Sequence, residues 1–294
     1  MDLIENKVDI LKRKALNVVS ISDRDENGID EKSGVLGLYD SIKKIDKESI
    51  DKVSNAFALW LLEESDYKKR KNVDIVFDGI NPIKRSTPTW AKYRDYFKTI
   101  KGKQIESHEK DIRFWCQEHN DSKQLSEETC SKCFKGKKFI RKSGDLSDQI
   151  EKHLCCRSYI KYPFILGYEV STCHSKKDGQ NRNVDIVFLL GNHVCIGEAK
   201  EPNSGECLLR AVLEVETYFH RIADKQYFID SFGELLKEPV SSELKKAILV
   251  GKNWYMEQEE KQPEVVKLMK YLDISAFDLE VLEKSGDFVR LDKE

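Results

Sequence analysis

The chain has 294 residues, of which 35% are charged and 39% hydrophobic, and its net charge at pH 7 is -2. This length can bury a substantial core in one large or two modest domains, and the composition is that of a globular chain. The small net charge excludes a general attraction to nucleic acid, so any basic surface must be local. No apolar run approaches the ~20 residues that span a bilayer, and the first residues are charged rather than signal-like. We therefore expect no membrane partner and a cytoplasmic location.

The first hundred residues are predicted to be mainly helical. Apolar periodicity indicates helices over 3–19 and 48–64, and an aromatic-rich helix over 89–100. The string NVDIVF at 72–77 lies among them and is predicted to be a strand that ends at turn residues. We interpret residues 1–104 as a mainly helical N-terminal domain.

A small zinc-binding module is predicted within residues 105–143. Cys116, His119, Cys130 and Cys133 have the spacing C-x2-H-x10-C-x2-C. Zinc prefers four such thiolate and imidazole ligands in a tetrahedron, and a closed set of this kind is structural. The eight cysteines of the chain are too sparse for a disulfide scaffold. Two unrelated cysteine turns are the alternative.

Basic charge is concentrated in two runs, at 68–71 and at 132–142. The second run follows the cysteine cluster directly, so a bound zinc ion would hold it as a rigid projection. We expect it to contact nucleic-acid phosphates through Lys135, Lys137, Lys138 and Arg141. The alternative for either run is a solvated face.

From residue 144 onward the pattern changes to strands and helices. A helix is expected near 147–159, followed by strands over 163–172, 183–190 and 193–200. Gly191-Asn192 favours a tight antiparallel hairpin between the second and third strands. An amphipathic helix to about 222, a strand at 246–251, a helix at 263–271 and a short run at 277–282 complete the α/β pattern.

A second copy of NVDIVF, at 183–188, introduces an acid into this hairpin. Asp185 lies about six residues before the turn midpoint and Glu198 about six after it, so the two are expected to face each other. Because side chains alternate along a strand, Glu198 and Lys200 share one face. Adjacent carboxylates repel unless a cation such as Mg²⁺ neutralises them, and Lys200 would then bind an anion or orient water. A surface ion pair between Glu198 and Lys200 is the alternative.

This constellation resembles the PD-(D/E)xK nuclease superfamily, through VDIVF for the first acid and GEAK for the (D/E)xK element. The resemblance covers about residues 144–250. It implies a restriction-endonuclease-like core of helix, three antiparallel strands, helix and strand within a nuclease domain at 144–294. By the same resemblance, Asp185, Glu198 and the carbonyl of Ala199 would hold Mg²⁺ or Mn²⁺, and Lys200 would position water or stabilise charge. Glu151 looks like the extra acid that many members carry on the preceding helix.

Two further residues resemble the RecB-like members of this superfamily. Glu214 and Tyr218 stand where those members carry a Gln and a Tyr four residues apart, with Glu here in place of Gln. The first NVDIVF has no acid in the (D/E)xK position, so we interpret it as an ordinary strand; a degenerate or accessory site is the alternative.

The resemblance implies metal-dependent hydrolysis of phosphodiester bonds. DNA is the expected substrate, and a restriction, defence or DNA-processing endonuclease is the expected type. Two alternatives stay open: a zinc-stabilised nucleic-acid-binding protein without turnover, and a nuclease that acts on RNA or branched DNA. A homodimer is also compatible with the sequence.

Overall fold

The computed structural model describes residues 3–19, 35–78, 80, 165–171, 183–200, 205–222, 224–233, 239–285 and 287–292. The predicted helices at 89–100 and 147–159 lie outside these residues, and so does the whole predicted zinc module. Both predicted domain boundaries, at 104/105 and 143/144, also lie outside them.

The described residues form helices in both halves of the chain and strands in the C-terminal half. The helices are α1 (Leu3–Val19), α2 (Val35–Lys43), α3 (Ile50–Leu62), α4 (Asn72–Asp78), α5 (Leu208–Arg221), α6 (Lys225–Gly233), α7 (Lys252–Lys261), α8 (Pro263–Tyr271) and α9 (Leu279–Ser285). The strands are β1 (Ile165–Ser171), β2 (Asn183–Leu190), β3 (His193–Ala199), β4 (Lys245–Val250) and β5 (Ile274–Asp278).

The five strands form one mixed sheet in the order β1-β2-β3-β4-β5. The pairs β1–β2 and β2–β3 are antiparallel, whereas the pairs β3–β4 and β4–β5 are parallel. Gly191 has φ of 60° in the β2–β3 turn, a left-handed conformation that glycine adopts without a Cβ penalty. The α/β class and the antiparallel hairpin predicted from the sequence are confirmed.

The sheet is covered on both faces. Val194 and Ile196 of β3 face the larger core, which includes the apolar side of α5. Cys195 and Ala199 point the other way, into a smaller core with Leu282 of α9. Burial on both faces explains why β2 and β3 read as nearly continuous apolar runs.

The N-terminal helices share the larger core with the sheet. The Tyr39 hydroxyl donates to the Leu213 carbonyl at 3.1 Å and lies 2.6 Å from Thr217 Oγ1. On α3, the Asn55 amide donates to the Lys261 carbonyl at 2.8 Å and its oxygen accepts the Glu264 N–H at 3.0 Å. Asn55 therefore supplies, from another helix, a cap for the start of α8.

The prediction of a strand for the first NVDIVF is wrong, because these residues form α4. Val73, Val76 and Phe77 are buried, and their i, i+3, i+4 spacing is that of a helical stripe. Phe77 stacks on His220 of α5 with ring centroids 5.3 Å apart. Asp74 lies on the outer side, where its Oδ2 accepts the Tyr271 hydroxyl at 2.9 Å.

The structure agrees with the boundaries predicted from the sequence for two elements. The bounds predicted for β2 and α8 are confirmed, and Pro263 stands at the start of α8, where its missing N–H costs no helical bond. Four elements, α2, α6, α7 and β5, were not predicted from the sequence. In the described part of the chain, no helix is long and apolar enough to cross a membrane.

A C-terminal segment covers the outer edge of β5. The Asp278 N–H donates to the Val289 carbonyl at 2.9 Å, and the Leu291 N–H donates to the Ala276 carbonyl at 2.8 Å. The backbone of β5 is therefore bonded on both sides.

Candidate active site

Asp185 and Glu198 face each other across the β2–β3 hairpin. Ile186 pairs with Gly197, so one further step of the antiparallel register sets Asp185 opposite Glu198. The Ala199 N–H donates to Asp185 Oδ2 at 2.8 Å. This bond fixes the Asp185 carboxylate at the C-terminal end of β3.

Lys200 follows β3 directly and is 8% exposed. Its N–H donates to the Leu249 carbonyl at 2.9 Å, which ties the backbone to β4. Its Nζ lies 2.6 Å from Glu198 Oε1, 2.8 Å from Glu214 Oε2 and 2.9 Å from Glu206 Oε2. Three carboxylates therefore surround an ammonium that has three N–H donors.

The first turns of α5 add a second cation to the cluster. Arg210 Nε donates to Glu214 Oε1 at 3.0 Å, and Arg210 also forms an ion pair with Glu206. Arg210 and Glu206 were not predicted as site residues. The i, i+4 spacing of Glu206, Arg210 and Glu214 was the sequence signal that could have indicated them.

The cluster holds more negative than positive charge. Four carboxylates, from Asp185 and the three glutamates around Lys200, stand against the two cations Lys200 and Arg210. If all six groups are ionised, the sum is two unit negative charges in a largely buried place. Such an excess disfavours ionisation of every acid in the cluster.

The pKa values of the two most buried glutamates of this cluster, Glu198 and Glu214, are shifted in opposite directions. Burial raises the pKa of Glu198 well above its usual range, and the neighbouring Asp185 raises it further. Burial acts on Glu214 in the same direction, but Lys200 and Arg210 outweigh it and lower the pKa of Glu214 to about 2. Burial and Asp185 thus favour the protonated form of Glu198, whereas Lys200 and Arg210 favour the charged form of Glu214. Glu198 Oε2 is buried and has no hydrogen-bond partner.

Lys200 and Tyr218 complete the electrostatics of the site. Burial opposes the charge of Lys200, but Glu198 and Glu214 overcome this effect and raise its pKa well above the usual range. Burial raises the pKa of Tyr218, and Glu198 and Glu214 add to the shift. Tyr218 lies one helical turn after Glu214 and is a neutral hydroxyl beside a charged cluster.

Other predicted site residues lie outside the described residues. These are the zinc ligands Cys116, His119, Cys130 and Cys133, the basic residues Lys135, Lys137, Lys138 and Arg141, and the acid Glu151. Within the described ranges, no group of three or more His, Cys, Asp or Glu side chains is arranged to hold a metal ion.

The described cluster has the groups that cation and anion binding require. Opposed carboxylates attract a divalent cation, and a buried lysine beside them can hold an anion or a water molecule.

A scan against protein-family models, a search of curated proteins and a search of solved structures found no match for this chain.

Proposed function

We propose that the chain is a metal-dependent nuclease that hydrolyses phosphodiester bonds, with DNA as its substrate. The observation that carries the proposal is the buried excess of negative charge around Asp185 and Glu198. A divalent cation at these two carboxylates would balance that excess and would give Glu198 Oε2, which has no hydrogen-bond partner, a positive neighbour.

The donor types suit Mg²⁺ or Mn²⁺. Mg²⁺ is commonly bound by one or two carboxylates and keeps several water molecules, so it does not require three acidic side chains. Asp185, Glu198 and the carbonyl of Ala199 would supply the protein ligands. A cation bound there would stabilise charge on the transferred phosphoryl group and lower the pKa of the attacking water.

The side chains of the cluster have separate roles in this proposal. Asp185 is oriented by the Ala199 N–H and binds the cation together with Glu198. Lys200 orients the attacking water or stabilises negative charge that develops on the phosphate. Glu214, which is bonded to both Lys200 and Arg210, holds the lysine in position.

The sheet supports a restriction-endonuclease-like core as part of the proposal. Three antiparallel strands are followed by α5, by the short helix α6 and then by a strand parallel to β3. Apart from α6, this is the order expected for that core after its first helix. A restriction, defence or DNA-processing endonuclease is the type of enzyme that we propose.

A cleavage assay with a matched control tests the proposal. Double-stranded DNA, single-stranded DNA and RNA are incubated with the protein in Mg²⁺, in Mn²⁺ and in EDTA. Asp185→Asn and Lys200→Ala should abolish cleavage. Asp74→Asn should retain it, because Asp74 is the corresponding residue of the other NVDIVF and bonds Tyr271 instead. RNA or branched DNA cleaved in preference to linear DNA would change the substrate but not the chemistry.

A second candidate function is nucleic-acid binding without turnover. One observation favours the absence of turnover: the Lys200 ammonium lies within 2.9 Å of three carboxylates, as in a structural ion network. Two results together would favour this function over the nuclease. The wild type would bind a strand without cleaving it in Mg²⁺ or Mn²⁺, and Asp185→Asn would bind that strand with the same affinity.

A further inference from the structure

We propose that Lys200 and Arg210 form a clamp for one phosphate group of a nucleic-acid strand, and that Glu206 fills this clamp when no strand is bound. That the ligand is a nucleic acid rests on the proposed function. The new elements are Arg210 as a phosphate-binding residue and Glu206 as a regulatory contact at the same site.

The geometry of Glu206 carries the inference. Its two oxygens contact two different cations, with Oε2 2.9 Å from Lys200 Nζ and Oε1 paired to Arg210. Its side chain is 28% exposed, against 5% for Glu198 and 7% for Glu214. Among the three carboxylates at Lys200, Glu206 is therefore the one that an incoming group reaches first.

The two cations have inner partners that do not depend on Glu206. Lys200 is bonded to Glu198 and Glu214, and Arg210 is bonded to Glu214. When Glu206 moves away, both cations are still held in place by these inner acids. A vacated position between an ammonium and a guanidinium matches a phosphate, because the guanidinium donates to two oxygens and the ammonium to a third.

The start of α5 adds to this preference for an anion. α5 begins at Leu208, its N-cap residue Cys207 makes no side-chain capping hydrogen bond, and its first turn contains no acid. The unpaired N–H groups of a first turn favour a nearby negative group. Glu206 directly precedes this turn and supplies such a group in the unbound protein.

The exchange conserves charge. A phosphodiester carries one negative charge, as does the Glu206 carboxylate, so the two can replace each other without a change in the charge of the cluster. Glu206 then competes with the strand, and the apparent affinity of the wild type is reduced by the fraction of molecules whose clamp is filled.

The test measures binding without turnover. Fluorescence anisotropy of fluorescein-labelled single-stranded DNA, and of RNA with the same sequence, is followed in EDTA. Glu206→Gln should lower the Kd on the order of tenfold, since one competing charge is lost. The polymer that gains more affinity identifies the natural strand. Inorganic phosphate, added as a competitor, should displace the strand more effectively from this variant than from the wild type.

Glu243→Gln is the matched control. Glu243 also bridges two basic groups, Lys245 at 2.8 Å and His193 at 3.7 Å, but it lies at the opposite end of β3. This control should change the Kd by less than about twofold, since an exposed pair contributes little. Arg210→Gln, combined with Glu206→Gln, should remove the gain in affinity.

Two results would overturn the clamp: equal Kd values for Glu206→Gln and Glu243→Gln, or a gain in affinity that survives the loss of Arg210. Glu206→Ala repeats the measurement with a second substitution, and thermal unfolding verifies that each variant is folded. The binding assay contains no divalent cation, so it tests the clamp alone, whereas the cleavage assay tests nuclease activity. Failure of the clamp is therefore distinguishable from failure of the proposed function.

Discussion

Replacement of Lys200 by Met tests whether the charge cluster is as tightly coupled as its geometry indicates. The substitution keeps much of the apolar stem and removes the ammonium that Glu198 and Glu214 share. Loss of one partner from a buried ion pair costs about 3–5 kcal/mol, because the remaining charge stays buried without compensation. We expect Lys200→Met to lower the free energy of unfolding at pH 7 by that amount.

The lowered pKa of Glu214 corresponds to a stabilisation of the same order, to which Lys200 and Arg210 both contribute. Although burial opposes the effect, Lys200 and Arg210 lower the pKa of Glu214 from 4.5 to about 2. A difference of about 2.5 pKa units corresponds to about 3 kcal/mol. Because the folded-state pKa is depressed, this stabilisation is present above pH ~4.5 and is lost as the pH falls toward about 2. Without Lys200, the pKa values of the buried carboxyl groups should rise. Once a carboxyl group is protonated, it carries no charge that an ammonium must compensate, so the loss of stability should shrink as the pH falls.

Urea denaturation followed by circular dichroism measures the effect at pH 7 and at pH 5. The difference between Lys200→Met and the wild type should be smaller at the lower pH. Lys245→Met is the control, since Lys245 also contacts two carboxylates, those of Glu243 and Asp273, but these carboxylates are exposed and the Lys245 side chain is only partly buried. It should cost about 1 kcal/mol or less. A loss for Lys200→Met equal to that of the control, or one that does not vary with pH, would refute the reasoning.

Three further predictions concern packing, anchoring and zinc. Gly197→Ala should destabilise the protein by about 1–3 kcal/mol, because a Cβ there would lie 3.1 Å from Phe188 Cε1 and the Phe188 ring, which is fully buried and stacked on Phe288, has little room to shift; urea denaturation measures the loss. Tyr39→Phe should cost about 1 kcal/mol by thermal unfolding, because it removes the hydroxyl that contacts Thr217. The purified protein should contain bound zinc, and Cys133→Ser should reduce the zinc content measured by mass spectrometry.

The two copies of NVDIVF mark where sequence reasoning succeeds and where it fails. The second copy is a strand because its neighbours provide a hairpin turn and partners on both sides. The first copy is a helix because Val73, Val76 and Phe77 meet other helices. A short apolar run is compatible with either period, so tertiary contacts determine its conformation.

The candidate site was partly predictable for a related reason. The approach of Asp185 to Glu198 follows from alternation and from one turn, both of which are local. The contacts of Arg210 and Glu206 depend on how the start of α5 meets the end of β3, and no local pattern specifies that meeting. Their i, i+4 spacing indicates only that Glu206 and Arg210 can reach each other.

The segment that covers β5 also bears on solubility. An open sheet edge presents unpaired N–H and C=O groups that can pair with another chain. The bonds from residues 278 and 276 to residues 289 and 291 occupy those groups. Removal of residues 287–292 would expose β5 as a template for intermolecular strand pairing, so this segment protects the folded protein from aggregation at that edge.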